Sequence, residues 1–146
     1  MTMRTVAHIF QRKGTHNIVI SPAATVREAL QIMAEKNIGS VIVMEENEFK
    51  GLITERDYAR KVILLGKSSQ DTTVAEIMSA YMPKISPRNT LEDCMGLMSA
   101  HNIRYLPVFE SDEFIGVVSI NDVVKETILS QQETIEQLQS YIHSTV

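Results

Sequence analysis

Residues 51–57 read Gly-Leu-Ile-Thr-Glu-Arg-Asp, and residues 116–122 read Gly-Val-Val-Ser-Ile-Asn-Asp. The two stretches lie 65 positions apart, and the same shift aligns residues 20–63 with residues 85–128 without a gap. Fourteen of these 44 aligned positions are identical, which indicates an internal duplication. The fold must therefore be considered as two copies of one unit.

Each copy contains the same series of predicted elements. In the first copy, Thr25 and Glu28 have the spacing of a capping box, and the apolar residues that follow recur at helical intervals through Lys36. A strand over residues 19–20 precedes this helix, and strands over 41–44 and 49–54 and a helix over 55–65 follow it. The second copy predicts a helix capped by Thr90, strands over 106–109 and 114–119, and a helix over 121–129.

The predicted fold class is α+β, with two β-α-β-β-α repeats packed sheet to sheet about a pseudo-twofold axis. A short apolar segment precedes each copy, at residues 5–10 and 73–78. The predicted organisation is a first repeat at residues 5–66, a polar linker at 67–72, a second repeat at 73–129, and a helical tail at 130–146.

Composition excludes several classes of protein. The 146 residues carry a net charge of −4 with no basic block and only 5% aromatic residues, so a nucleic-acid partner is not expected. No apolar run exceeds four residues, whereas a membrane-spanning helix needs about 20. The single cysteine, Cys94, agrees with a reducing compartment, and the N-terminus lacks the apolar core of a secretion signal. We therefore expect a cytoplasmic protein without a membrane anchor.

The Thr/Ser-x-x-Asp pattern at the start of each copy's second helix has two interpretations. Thr54 with Asp57, and Ser119 with Asp122, could cap their helices without any ligand. Alternatively, each carboxylate could accept both hydroxyls of a ribose, while the helix N-terminus attracts phosphate. Arg56 lies within the first motif and Asn121 within the second, so the two predicted sites are not equivalent.

The residues before the middle strand also differ between the copies. The first copy has Gly39-Ser40 there, and the second has Arg104-Tyr105. Small residues leave room for a ligand, and Arg104 could either contact a phosphate or remain a solvated surface residue.

Taken together, the duplicated pattern, the Ser-Pro starts, the Arg-x-Leu-Pro-Val strand at residues 104–108 and both motifs resemble tandem cystathionine-β-synthase (CBS) domains, also called a Bateman module. The run at residues 54–61 is similar to small stand-alone bacterial members. The resemblance implies a regulatory module that binds AMP, ADP, ATP, NAD or S-adenosylmethionine in clefts between the repeats and signals by conformational change, with AMP the first candidate.

Carried over by motif position, the resemblance assigns ribose contacts to Asp57 and Asp122, and sugar or phosphate contacts to Thr54 and Ser119. Further phosphate and adenine contacts are implied for Ile20, Ser40, Arg56, Arg60, Ile85, Arg104, Tyr105, Leu106, Pro107 and Asn121. Where the family often has two cations before the Leu-Pro-Val strand, this chain has one. The alternative function is a constitutive dimerisation or scaffold module with vestigial clefts.

The remaining features predict no catalysis. The four histidines lack metal-ligand spacing, and no nucleophile–base pair is evident, so we expect neither an enzyme nor a metal site. In the tail, Ile128, Ile135 and Ile142 are seven residues apart, with Gln131 and Leu138 between them. This helix could lie back on its own domain or pair with the same helix of a second chain. Because the family commonly dimerises, we expect a homodimer.

Overall fold

The computed structural model describes residues 3–14 and 16–144. These residues form two compact units. The repeat-one unit comprises His16–Met82, and the repeat-two unit comprises residues 3–14 together with 83–144. No helix within the described ranges combines the length and apolar character needed to cross a membrane.

The repeat-one unit is built on a three-stranded sheet with the order β1-β2-β3. Strand β1 (Val19–Ile20) runs parallel to β2 (Ser40–Glu45), which pairs antiparallel with β3 (Glu48–Thr54). The hairpin turns at Glu46 and Asn47, which both have positive φ angles, as a tight two-residue connection requires. The predicted strands and their hairpin are therefore confirmed.

Helix α2 (Val26–Lys36) packs its apolar face into the core of this unit. Thr25 accepts a hydrogen bond from the Glu28 backbone N–H, and the Glu28 side chain accepts one from the Thr25 N–H, so the predicted capping box is confirmed. Asn37 ends the helix in the left-handed conformation at φ 54°. The core comprises Ile20, Val26, Ala29, Met33, Val41, Val43, Ile53, Val62, Val74 and Ile77.

The helix predicted over residues 55–65 has a more varied geometry. Helix α3 (Glu55–Tyr58) is a single turn, and a π-helical turn (Ala59–Ile63) continues it. Ile63, Leu64 and Leu65 are exposed at its end. A short helix, α4 (Val74–Ile77), completes the unit.

The repeat-two unit repeats this plan. Helix α1 (Val6–Lys13) and helix α5 (Leu91–His101) flank the antiparallel pair β4 (Tyr105–Glu110) and β5 (Glu113–Ser119). Ile85 makes an isolated parallel bridge to Val108 in place of a first strand. The core comprises Val6, Ile9, Ile85, Leu91, Cys94, Met98, Leu106, Val108, Val118 and Val123.

Helix α6 (Ile120–Ser144) is a single helix of 25 residues. The sequence predicted a helix at 121–129 followed by a separate tail from residue 130. No proline or glycine lies between Ile120 and Ser144, so nothing in the chain interrupts the helix there.

The lead-in segments are exchanged between the sequence repeats. Helix α1 precedes the first repeat along the chain but belongs to the repeat-two unit, and α4 precedes the second repeat but belongs to the repeat-one unit. The N–H groups of Val74 and Ala75 donate to Ala24 and Pro22 at 2.8 and 2.9 Å. The equivalent donors in α1, from Val6 and Ala7, reach the carbonyls of Asn89 and Pro87 at 2.9 and 3.0 Å. The turn that follows each Ser-Pro pair therefore binds the N-terminus of a lead-in helix.

Candidate functional site

The glycine of the first motif allows two backbone segments to meet. The N–H of Leu52 donates to the Ser79 carbonyl at 2.9 Å, and the N–H of Ser79 donates to the Leu52 carbonyl at 2.8 Å. A Cβ atom at Gly51 would lie 2.5 Å from the Ser79 oxygen, closer than atoms can approach. The absence of a side chain at Gly51 therefore allows the segment that follows α4 to pack against β3.

Thr54 and Asp57 form the cap at the corner between β3 and α3. The Asp57 N–H donates to Thr54 Oγ1 at 3.1 Å, and Asp57 Oδ2 accepts from the Thr54 N–H and Oγ1, both at 3.0 Å. In the structure, Thr54 and Asp57 therefore form the helix cap that the first interpretation of this motif describes.

The other oxygen of Asp57 is also occupied. Asp57 Oδ1 accepts a hydrogen bond from Ser79 Oγ at 3.0 Å and lies 3.1 Å from Lys61 Nζ. The same Lys61 ammonium donates to the Ile77 carbonyl at 2.9 Å. The Asp57 side chain is only 8% exposed, so both oxygens are committed to holding α3 and the segment around α4 together.

The second motif is more open. Asp122 Oδ2 accepts from the Ser119 N–H at 2.9 Å, and Ser119 Oγ accepts from the Asp122 N–H at 3.1 Å. Lys13 Nζ, at the end of α1, donates to the same Oδ2 and to the Val117 carbonyl, both at 2.8 Å. The Asp122 side chain is 23% exposed, and across residues 3–14 and 16–144 no donor reaches its Oδ1.

The remaining predicted contact residues fall into one group in each unit. In the repeat-two unit, Tyr105 pairs with Ser119 across β4 and β5, and the Ile120 N–H donates to the Arg104 carbonyl at 2.8 Å. Pro107 belongs to the same group, because its carbonyl accepts from the Ile85 N–H at 3.1 Å. The structure therefore brings the following predicted residues to one end of this sheet: Ile85, Arg104, Tyr105, Leu106, Pro107, Ser119, Asn121 and Asp122.

In the repeat-one unit, Ser40 pairs with Thr54, and Ile20 pairs with Val43. Arg56 and Arg60 follow on the exposed side of α3 and the π-helical turn. Exposure at Arg56, Arg60, Arg104 and Asn121 makes all four accessible to a ligand from solvent. By contrast, Ile85 already uses its N–H and its carbonyl in backbone hydrogen bonds, which leaves its side chain for any adenine contact.

Sequence reasoning missed the charged residues that bind the lead-in segments. Lys61 and Glu126 occupy equivalent positions in the two repeats. Lys61 reaches Asp57 and the Ile77 carbonyl, whereas the buried Glu126 accepts from Arg12 Nε at 2.8 Å and from an Arg12 Nη at 3.3 Å. The sequence does contain a signal for this difference. Four residues after the motif aspartate, the first repeat has the basic Lys61 and the second has the acidic Glu126.

Among the described residues there is neither a metal-ligand cluster nor an accessible free cysteine. No cluster of three or more His, Cys, Asp or Glu residues there could hold a metal ion. Burial raises the pKa of the Cys94 thiol to about 11, so this cysteine is a poor nucleophile. A groove of about 650 Å³ lies between α1, α5 and α6 and is lined by Arg4, His8, Leu91, Met95, Thr127 and Thr134 among others, but not by either motif.

Two similar units, each with a capped Thr/Ser-x-x-Asp corner, define a class of duplicated α+β proteins. The model of the CBS domain family matches residues 6–63 and 74–128. The CBS domain-containing protein YhcV of Bacillus subtilis is 35% identical over 109 residues, which are 75% of this chain and 77% of that protein. The mitochondrial CBS domain-containing protein CBSX3 of Arabidopsis thaliana is 37% identical over 123 residues, which are 81% of this chain and 60% of that relative.

A solved structure shows the same fold. The crystal structure of the CBS domain protein NE2398 has a TM-score of 0.82 and 42% identity to this chain, and the match covers 87% of this chain and 99% of that one. The chain therefore belongs to the CBS domain family and carries a pair of CBS domains, as its sequence predicted. Such pairs are generally regulatory, ligand-binding modules rather than catalytic ones.

Proposed function

We propose that this protein is a non-catalytic, cytoplasmic regulatory module that binds an adenosine-containing ligand, and that Asp122 is the carboxylate that holds the ribose. The observation that carries this proposal is the state of the Asp122 carboxylate. One oxygen completes the helix cap and the Lys13 ion pair, and no donor among residues 3–14 and 16–144 reaches the other, which can accept hydroxyl donors. A ribose diol supplies two such donors in adjacent positions.

The surroundings of Asp122 suit a nucleotide. Ser119, Tyr105 and Arg104 lie at the same end of the sheet, and Arg104 is exposed. A guanidinium pairs well with phosphate oxygens, and the N-terminus of the 25-residue helix α6 adds a favourable dipole. We propose AMP as the first ligand to test, with ADP, ATP, NAD and S-adenosylmethionine as competing candidates.

The first motif is proposed to be structural. A ribose at Asp57 would have to displace Ser79 or Lys61 from a carboxylate that is only 8% exposed. Displacing them would break the hydrogen bond and the ion pair that join α3 to the segment around α4. We therefore expect one ligand per chain, bound at the second motif. The ligand would regulate by binding one conformation more tightly than another and so shifting their populations.

A calorimetric and thermal-unfolding comparison of two matched variants tests this proposal. At 100 times its Kd, the ligand should raise the free energy of unfolding of the parent by about 2.7 kcal/mol. Asp122→Asn should lose this ligand-dependent gain with little change in basal stability. Asp57→Asn should keep the gain while its basal free energy of unfolding falls by about 1–3 kcal/mol.

Asp71→Ala serves as a control, because Asp71 is an exposed acid outside both motifs. If Asp122→Asn binds as the parent does, the site assignment is wrong. If no ligand of the panel shifts the parent, the scaffold function is the better description. Chromatography of the incubated ligand should show it unchanged, and its consumption would contradict a non-catalytic role.

A further inference from the structure

Lys13, the last residue of α1, lies beside the carboxylate of the second motif. Its ammonium Nζ is 2.8 Å from Asp122 Oδ2 and 2.8 Å from the Val117 carbonyl oxygen, so two of its three N–H groups are used. The ring centroid of Phe10, on the same helix, is 5.5 Å from Nζ. Within residues 3–14 and 16–144, no further acceptor lies at hydrogen-bonding distance from this ammonium. One N–H of Lys13 is therefore available to a molecule that binds at Asp122.

The two repeats supply a lysine to the motif aspartate from different elements. In the repeat-one unit, Lys61 pairs with the motif aspartate from four residues further along, in the π-helical turn. In the repeat-two unit the equivalent residue is Glu126, which pairs with Arg12 at 2.8 Å. The next residue of α1, Lys13, provides the ammonium for Asp122 instead. Each motif carboxylate thus has a lysine beside it, although the element that carries the lysine changes.

The two lysine–aspartate pairs differ in what a ligand can reach. Lys61 pairs with a carboxylate that is 8% exposed and already accepts a hydrogen bond from Ser79. In the second pair, the Lys13 side chain is 38% exposed and the Asp122 side chain is 23% exposed, so both reach solvent. This pair therefore offers a ligand an N–H donor and, in Oδ1, a carboxylate acceptor.

We propose that Lys13 is a second ligand-binding residue at the Asp122 site, and that it gives this site a preference for an anionic nucleotide over a neutral nucleoside. Its third N–H donates to an anionic oxygen of the ligand, and its charge offsets that of the carboxylate. The ligand's hydroxyl groups donate to Asp122 Oδ1, as in the proposed function. This inference rests on that function, because it requires a ligand at Asp122.

The charges around Asp122 fit this role for Lys13. A carboxylate without a counter-charge repels phosphate groups, and removing a repulsion changes specificity as much as adding a contact does. The other acid on this part of α6, Glu126, is already paired with Arg12, and Arg104 at the same end of the sheet is exposed. With Lys13 present, the charge of Arg104 is left to attract a phosphate. Without Lys13, the charge of Asp122 would offset it.

Calorimetric titration with AMP and with adenosine tests this role, because the two probes share the base and the sugar and differ in the phosphate. Lys13→Met should raise the Kd of AMP about fivefold or more and change the Kd of adenosine less than about twofold. Lys13→Arg keeps the positive charge and should keep the parent's preference for AMP. A purely structural role of Lys13 would weaken the binding of both probes by the same factor, so the ratio of the two Kd values distinguishes the two roles.

Lys50→Met is the matched control for the lost charge. Lys50 is 37% exposed and pairs with Glu48 at 3.1 Å, so this variant removes the same charge and a similar ion pair from the repeat-one unit. It should bind both probes as the parent does. If the parent binds AMP and Lys13→Met keeps the parent's ratio of Kd values, the role of Lys13 is refuted while the proposed function is supported. A parent that binds none of the adenosine compounds would refute both.

Discussion

Because Gly51 has no side chain, the backbone of Ser79 can pack directly against strand β3. The backbone of Ser79 lies where a Cβ atom would stand, and two hydrogen bonds join Ser79 to Leu52. We expect Gly51→Ala to lower the free energy of unfolding by about 1–3 kcal/mol, because the backbone must shift to relieve the overlap. Urea denaturation monitored by circular dichroism measures the change.

Gly96 provides a matched control for this substitution. It lies in the interior of α5, and a Cβ atom there would meet no described atom within 4 Å. Gly96→Ala should therefore raise the free energy of unfolding by about 0.5–1 kcal/mol, since alanine favours the helix. Equal effects of the two substitutions would contradict the steric account of Gly51.

Local chemistry at single residues was predictable, and remote partners were not. Thr25 with Glu28 and the helix end at Asn37 depend on neighbours within a few positions, so the sequence alone shows them. The hydrogen bonding of the Asp57 carboxylate depends on Ser79, which is 22 positions away in the sequence. Ser79 contacts Asp57 only because α4 packs beside α3. Whether that carboxylate is open to a ligand is therefore a property of the packing.

At the scale of elements, an ion pair attaches α1 to α6. Arg12 holds the pKa of the Glu126 carboxyl below its ordinary value, chiefly through its hydrogen bond. Because the folded-state pKa lies below the unfolded value of about 4.3, the ion pair stabilises the fold above that pH. Its contribution is lost as the pH falls through the folded-state value.

This linkage gives a pH-dependent prediction. Glu126→Gln should lower the free energy of unfolding by about 1–3 kcal/mol at pH 7, and the difference from the parent should shrink steadily below about pH 4.3. Urea denaturation at a series of pH values measures it. Glu136→Gln, on an exposed face of α6, should differ little from the parent at any pH. A Glu126→Gln difference that is constant with pH would exclude the ion pair as its cause.

Element boundaries were predictable where the chain carries a stop signal. Asn37 and Asn102 end α2 and α5 in the left-handed conformation, and both follow apolar helical patterns. In the first repeat, the second helix is followed by Gly66, which has a positive φ angle of 71°. The second repeat has Gln131 at the equivalent position, so no glycine interrupts α6 there and the helix continues to Ser144.

At the scale of the whole molecule, the exchange of α1 and α4 could not be read from the repeat alone. The two lead-ins have similar sequences, so hydrophobic pattern does not decide which repeat each one joins. Charge does distinguish them. Arg12 of α1 meets Glu126 in the repeat-two unit, but in the repeat-one unit the equivalent position is Lys61, which would repel it.

The exchange predicts which fragments of the chain can fold. A fragment of residues 16–82 contains the whole repeat-one unit, whereas residues 5–66 contain the sequence repeat but lack α4. Val74 and Ile77 are almost fully buried, and losing both side chains removes about 3–6 kcal/mol, comparable to the entire stability of a small domain. We therefore expect a cooperative urea transition for 16–82 and none for 5–66.

Within the 5–66 fragment, Lys61→Glu should restore part of the lost stability, because α1 could then occupy the place of α4 with Arg12 paired to the new glutamate. A 5–66 fragment at least as stable as 16–82 would show that the first repeat folds with its own lead-in, and that the exchange is not what holds the unit together.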